Sequence, residues 1–507
     1  MKAIMVMFDS LRRDLLSVNG GPIPTPNFER LAAHAVSFEK SYVGSLPCMP
    51  ARRELHTGRY NMLHRDWGPI EPFDDSAPQI LKQHGVYTHL STDHYHYVED
   101  GGCTYHSRYS SWVCFRGQES DTYIADLTPP PTEFATNQLS PQLSTGTLRV
   151  LRSKGGWQNM HNREVLHSAA DYPMHQTFDN GLDFLDRNGR YDNWFLTIET
   201  FDPHEPFTAP GEFDGRYFSP DETDLPDWPP YGPARESVDV VEKMRKKYFA
   251  LTEFCDQQLG RVLDKLDELG LWDDTMLIVN TDHGFFLSEH GWWGKGPMPS
   301  YEELTHTPLW IWDPRTPSAA GVRRSALVQT IDLAPTLLSY FNVAIPGDML
   351  GHDLYPVIRD DVSVRDYALF AYHGGPMNIT DGRYVLMRAV QDMNSPVYEY
   401  THMPTHMRAL FTLDEMRTAR MAEPFSFTKG CPVMKIRITP NPRFVNAQKE
   451  GEDLLFDLAK DPAQQTPIEA PDVKARLLNA MKSLFDENDA PEEMYARYAL
   501  EVPAADA

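Results

Sequence analysis

The 507-residue chain predicts an α/β fold: a large mixed, mostly parallel sheet sandwiched by helices, with a smaller C-terminal α+β domain. Three observations predict it. Apolar runs that read as buried strands, Lys2 to Phe8, Asn193 to Thr200 and Thr275 to Asn280, each end in polar residues. Helical patterns lie between them, and strands alternating with helices imply a parallel sheet covered on both faces. After about Tyr372 the character of the chain changes, which divides it into a main domain, 1–375, and a smaller one, 376–507.

The first strand delivers Asp9 at its C-terminal end. In TPNFERLAAHAVSF, Thr25 is the expected N-cap and Pro26 a first-turn proline, with Phe28, Leu31, Ala32 and Val36 near helical spacing. In SLPCMPARRELHTG, Cys48 stands just before Pro50 and a run of good helix formers, which places it at a solvent-facing helix start. NWFLTIET leads into FDPHEPF, and TMLIVN into Thr281-Asp282-His283-Gly284. Between these, a long amphipathic helix is expected from about Val240 to Leu269, ended by Gly270. TPPPT (Thr128 to Thr132) and PDWPP (Pro226 to Pro230) read as loops. In the smaller domain GRYVLMRA reads as a strand, and GEDLLFDLAKDP leads into a helix near Val473 to Phe485. Ser395 to Pro442 is rich in Met, Pro and Thr without clear periodicity. Its apolar content exceeds what a free loop exposes, so segment 395–442 is expected to cap a substrate pocket or to join subunits of a homo-oligomer.

In open α/β sheets ligands bind beyond the carboxyl ends of the strands. Polar clusters at Asp9, His204 and Asp282-His283 therefore converge on one edge although they lie far apart in sequence.

Composition narrows the function. A hydrophobic fraction of 41% and a charged fraction of 23% exclude a disordered chain, a coiled coil and a collagen. Lys+Arg 47 against Asp+Glu 72 gives a net charge of -25, which disfavours nucleic acid and membrane surfaces as partners. An anionic substrate would need a local positive site set against that field. No run of about eighteen apolar residues is present to span a membrane, and the apolar run before Asp9 is too short for a signal peptide. Five scattered cysteines point to a reducing compartment, and the expectation is cytoplasmic.

The chemistry-bearing stretch is Cys48-Met49-Pro50-Ala51-Arg52 followed by Thr57-Gly58. This C-x-P-x-R-x4-T-G spacing resembles the signature of type I sulfatases of the alkaline phosphatase superfamily. DSLRRD, TPNFERLA, DPHEPF, TDHG…EHGWWGKG…YEE, IDLAPTLL and LLFDLAKDP look like further family landmarks in the family order, spanning residues 2 to about 465. The resemblance implies an alkaline phosphatase-like fold and conversion of Cys48 to Cα-formylglycine by a formylglycine-generating enzyme. It implies one divalent metal ion held by Asp9, Cys48, Asp282 and His283, with Ca²⁺ or Mn²⁺ expected and Zn²⁺ or Mg²⁺ possible. It also implies a small-molecule sulfate ester as substrate, hydrolysed by attack of a formylglycine hydroxyl on sulfur.

The remaining roles follow from the same resemblance. Arg52, one turn along the helix, reaches the nucleophile as a fixed cation. His204 and Lys295 contact the transferred group and assist the leaving alcohol, and His94 is the base that expels sulfate. Taken alone, Cys48 reads as a small buried residue, Asp9 as a helix cap, His283 as a loop histidine and Lys295 as a solvated lysine; the shared context reverses these readings. His56, His290 and His306 read as structural. Trp292, Trp293, Tyr95 and Tyr97 line either a pocket or a core.

Two positions depart from the common pattern. Asp9 is followed by Ser10 rather than a second aspartate, and Thr92 stands where a substrate-binding lysine is common. One anionic ligand and one cation are lost together. The same thinning of charge is found in the phosphonate monoester hydrolases, so a phosphonate monoester or phosphodiester hydrolase is the alternative, and promiscuity among these esters is expected.

Overall fold

The computed structural model describes residues 1–128, 145–151, 153–222 and 226–501; beyond Thr128, the TPPPT stretch lies outside them. An eight-stranded sheet forms the centre. Its order is Arg323–Gln329, Val36–Tyr42, Leu309–Trp312, Thr275–Thr281, Lys2–Phe8, Trp194–Thr200, Tyr87–Thr92, Ser111–Cys114. Only Leu309–Trp312 runs against its neighbours, so the sheet is mixed and mostly parallel.

Side chains alternate across this sheet with period two. Ile4, Val6 and Phe8 enter one core, with Phe28, Phe178 and the buried stripe of the long helix Val238–Leu269. Ala3 and Met5 enter the other, with Met49, Leu81 and Leu337. The long helix starts where Ser237 accepts a hydrogen bond from the Val240 N–H and stops at Gly270, whose φ of 62° suits a residue without a Cβ. The central strands are buried on both faces, which is why they read as continuous apolar runs.

Register sets up the site. Phe8 pairs with both Thr200 and Thr281, so the three strands end level and Asp9, Phe201 and Asp282 emerge side by side. Thr92 pairs with Glu199 one step lower.

Two local expectations are corrected. The helix Pro26–His34 ends before Val36, which opens the strand Val36–Tyr42. In VSFEKSY the buried Val36 and Phe38 alternate with partly exposed residues, and β-branched Val36 favours that state. Cys48 does start a helix, Cys48–Thr57, but it is 1% exposed and does not face solvent. That helix lies between the main sheet and a second one, and nine of its ten residues are buried.

The second sheet has the order Leu454–Asp457, Tyr384–Arg388, Met377–Thr380, Ala368–Tyr372, Ser45–Leu46, so it takes two strands from ahead of residue 376. The helix Pro471–Glu487 packs on it through Leu477, Met481 and Phe485. Within 395–442, Val397–Thr401, Val433–Ile438 and Arg420–Ala422 form a small antiparallel sheet. Among the described residues no helix is long and apolar enough to cross a membrane.

Candidate active site

Asp9, Cys48, Asp282 and His283, all buried, each offer a ligand atom within 4.8 Å of the others. Asp9 and Asp282 come from adjacent strand ends, His283 from the following turn, and Cys48 from the first turn of its helix. The His283 ring is oriented by its own loop: Nδ1–H donates to the Gly284 carbonyl at 2.8 Å, which leaves the Nε2 lone pair facing Cys48 Sγ at 3.3 Å. Lys295 Nζ also approaches this nitrogen, at 3.4 Å. A histidine fixed through Nδ1 in this way presents its Nε2 lone pair to the cluster, as metal-binding histidines do. Among the described residues Asp9 Oδ2 is buried and has no well-aligned hydrogen bond, although it forms an ion pair with Arg52, and two carboxylates with one imidazole suit a divalent cation. The residues present therefore fit the metal that the sequence implies.

Arg52 stands behind this cluster. Its Nε donates to Glu199 at 2.6 Å, Nη1 to Asp282 Oδ2 at 2.6 Å, and Nη2 lies 3.0 Å from Asp9 Oδ2. Toward Cys48 it reaches the main-chain carbonyl, at 3.0 Å, rather than the sulfur. Burial would lower its pKa, but Glu199, Asp282 and Asp9 hold it well above the usual value. Arg52 thus fixes the two candidate ligand carboxylates and the helix start together.

Lys295 reaches the other side of Cys48. Its Nζ lies 3.2 Å from Sγ, 3.1 Å from Ser10 Oγ and 3.6 Å from Asp9 Oδ1. Burial opposes its charge, yet the carboxylates of Asp9, Glu205 and Asp282 keep it protonated. Burial would raise Asp9, but Lys295 and Arg52 hold it well below the carboxylate range. Asp282 is pushed up to about 7 by burial and by the charge of Asp9. The Cys48 thiol is pushed up by burial and by Asp9, so the unmodified side chain is a neutral thiol and a weak nucleophile.

His204 donates from Nδ1 to the Glu205 carbonyl at 2.5 Å, and burial with Lys295 nearby lowers its pKa well below the usual value. It is a neutral imidazole, and among the described residues nothing hydrogen-bonds its Nε2. His94 is also neutral, through burial and the charge of Arg52; its Nε2 lies 3.5 Å from Asp9 Oδ2 and neither ring nitrogen has a hydrogen-bond partner. Thr92 spends its hydroxyl on the His94 amide N–H, at 3.0 Å, inside the turn. Nine sequence-selected residues therefore divide: Asp9, Cys48, Arg52, Asp282, His283 and Lys295 form one cluster, His94 touches it through Asp9, His204 faces the pocket, and Thr92 stays behind the wall.

A pocket of about 480 Å³ opens over Cys48, His204 and Lys295. Its aromatic walls are Trp67, Trp228, Tyr231 and Phe444, and Asp66, Glu119, Glu205, Arg408 and Arg443 supply charge. Trp293, Tyr95 and Tyr97 are core residues instead, and Trp292 packs at the edge of a second-sheet cluster. His56, His290 and His306 are structural: they bond Ser76, stack on Tyr301 and bond the Glu39 carbonyl.

Several participants were not selected from sequence. Glu199, which holds Arg52, left a signal: it is the one charged residue inside an apolar strand. Asp93 accepts from the Phe201 N–H at 2.7 Å, and Gln118 donates to both Asp93 and Asp202, tying two strand ends together. Tyr231, bonded to Glu205, and Arg443 left no such mark.

The sulfatase family profile matches residues 2–343, and a profile described as N-sulphoglucosamine sulphohydrolase, C-terminal, matches residues 288–422. An arylsulfatase of Clostridium perfringens is 23% identical, over 97% of this chain and 95% of its own. An N-acetylglucosamine-6-O-sulfatase of Bacteroides thetaiotaomicron is 24% identical over 71% of each chain. Among solved structures, the phosphonate monoester hydrolase of Agrobacterium radiobacter superposes with a TM-score of 0.62 at 20% identity, covering 96% of both chains. The family match spans most of the chain and includes every residue of the buried cluster, so this protein belongs to the sulfatase family of sulfuric ester hydrolases.

Proposed function

We propose that the protein hydrolyses sulfate esters with a formylglycine made from Cys48 and one divalent metal ion held by Asp9, Asp282, His283 and the modified residue 48. The observation that carries this is the placement of Cys48: buried at the pocket floor, its sulfur within 4.8 Å of a donor atom from each of Asp9, Asp282 and His283, and 3.2 Å from a protonated lysine. When bound, the cation and the hydrated aldehyde supply an acidified hydroxyl and neutralise the anionic ester.

The chain's own residues do the rest. Lys295 places a positive charge where the ester's oxygens gather negative charge, and it holds the proton that the departing alcohol needs. His204, fixed through Nδ1, presents Nε2 as an acceptor toward the pocket, and it donates to the transferred group or the leaving alcohol only after taking up a proton there. His94 keeps an unprotonated ring nitrogen beside Asp9, positioned to take up a proton in the second half of the reaction although burial and Arg52 weaken it as a base. Arg52 keeps Asp9 and Asp282 aimed at the same point.

A second reading, phosphonate monoester or phosphodiester hydrolysis, is favoured by Ser10. Its hydroxyl donates to Asp9 at 2.7 Å where a second carboxylate is common, which lowers the negative charge of the site. Rates on an aryl sulfate and on a phenyl phosphonate separate the two readings.

Maturation requires a formylglycine-generating enzyme. The mass of the peptide bearing Cys48 tests this, because the aldehyde has one oxygen in place of a sulfur and two hydrogens. An unmodified thiol in fully active enzyme would refute the mechanism. Chelation is expected to abolish turnover and a divalent ion to restore it. Five free cysteines support a cytoplasmic location, and exposed Leu410, Leu413 and Met421 in 395–442 support self-association, which light scattering tests.

A further inference from the structure

Three cations line the pocket, and two have assigned partners. Lys295 lies among Cys48, Ser10 and Asp9. Arg408 pairs with Glu99 at 3.1 Å. The Arg443 guanidinium lies 4.7 Å over the ring of Tyr231, and among the described residues no carboxylate pairs with it. We infer that Arg443 forms a second anion subsite, and that the preferred ester carries a further fixed negative charge on its alcohol portion. This rests on the proposed esterase reading and deepens it.

The position of Arg443 is built rather than incidental. It lies in the short helix Pro442–Val445, whose first turn is held by the Asn441 side chain accepting from the Arg443 N–H at 3.0 Å. The next residue, Phe444, stacks on Tyr372 with ring centroids 4.4 Å apart. That helix sits directly on the turn after Lys295. A Cβ at Gly296, where φ is 104°, would lie 2.4 Å from the Phe444 ring and 3.7 Å from Arg443 Cδ. The turn after Lys295 and the helix that carries Arg443 therefore pack closely, and both residues line the same pocket.

The charge argument concerns the second anion. A protein of net charge -25 repels a dianion more strongly than a monoanion, so a dianionic substrate needs a second local cation. A guanidinium supported on an aromatic face offers a planar fork that matches a carboxylate or a sulfate. A neutral alcohol portion would give it no partner.

The test compares phenyl sulfate with 3- and 4-carboxyphenyl sulfate on matured, metal-loaded enzyme. Arg443→Ala is expected to lower the preference for the better carboxylated ester, as a ratio of kcat/KM, by about tenfold, chiefly through KM. Arg443→Lys should retain part of it, and raised salt should shrink the wild-type preference. An unchanged preference for both carboxylate isomers in Arg443→Ala would overturn the inference. Binding of the same esters to Cys48→Ala protein, with and without Arg443→Ala, is read by calorimetry and needs no turnover. If wild-type enzyme turns over no ester but the Cys48→Ala protein still discriminates through Arg443, the subsite stands and the esterase reading falls. If turnover is normal and discrimination is absent, the subsite falls alone.

Discussion

The floor of the pocket and its outer wall are built in different ways. At the floor, Asp9, Arg52, Asp282 and His283 are at most 1% exposed, and each is held by strand ends in register or by the first turns of one helix. Arg52 faces three carboxylates there, which leaves an excess of negative charge at the floor. The outer wall comes from loops and a short helix, with Met407, Arg408 and Phe444 reaching in from the C-terminal region. On the proposed function, the contrast teaches that the reaction chemistry would rest on rigid elements, while recognition of the alcohol would be left to segments that can vary without disturbing the sheet.

Substitutions should expose that contrast, beginning with the proposed nucleophile. Cys48→Ala is expected to lower kcat by on the order of 10⁴-fold while thermal melting stays near wild type, since only a small buried side chain is removed. A variant that keeps full activity would contradict the mechanism. Next is Arg52→Leu, which strands Glu199, Asp282 and Asp9 in the interior and should cost about 3–5 kcal/mol in denaturant unfolding. Arg443→Ala, on the exposed wall, should cost about 0.5 kcal/mol or less in the same measurement. Equal costs would erase the distinction between the regions.

A pH effect of intermediate size belongs to His56, on the catalytic helix. Burial lowers its pKa to about 3 in the folded protein against an ordinary 6.5. The unfolded chain therefore binds the extra proton between those values. The stabilisation is present above about pH 6.5 and is lost as pH falls toward 3, by on the order of 1–2 kcal/mol at pH 5. His56→Gln should flatten the dependence of the melting temperature between pH 7 and 5. The smallest kinetic effect is expected on the wall: Trp228→Ala should raise KM about threefold to tenfold with little change in kcat, if its contact is made equally to substrate and transition state.

Much of this was legible in the chain. The strand Lys2–Phe8 matches its expected bounds, the long helix begins two residues early at Val238, and Cys48 opens its helix as the proline and helix formers indicate. These follow from local rules: apolar runs, caps and periodicity. Legibility failed where partners are distant. Segment 395–442 shows no clear period because Val397–Thr401 pairs with Val433–Ile438 across a long excursion. Val36 fell on helical spacing although the neighbouring strand claims it. Thr92 and His94 were placed near the nucleophile, but which way a strand-end turn aims its side chains is settled by packing against Phe201 and Asp9.

What the amino-acid order determined alone was the set of reactive groups and the strands that carry them, because composition and spacing act over a few residues. Only the tertiary structure decided which groups meet. It set Arg52 on Glu199, seated Phe444 and Arg443 against the lysine turn, and withdrew Cys48 from solvent. Such outcomes depend on register between strands and on space left by absent side chains, neither of which a linear pattern records.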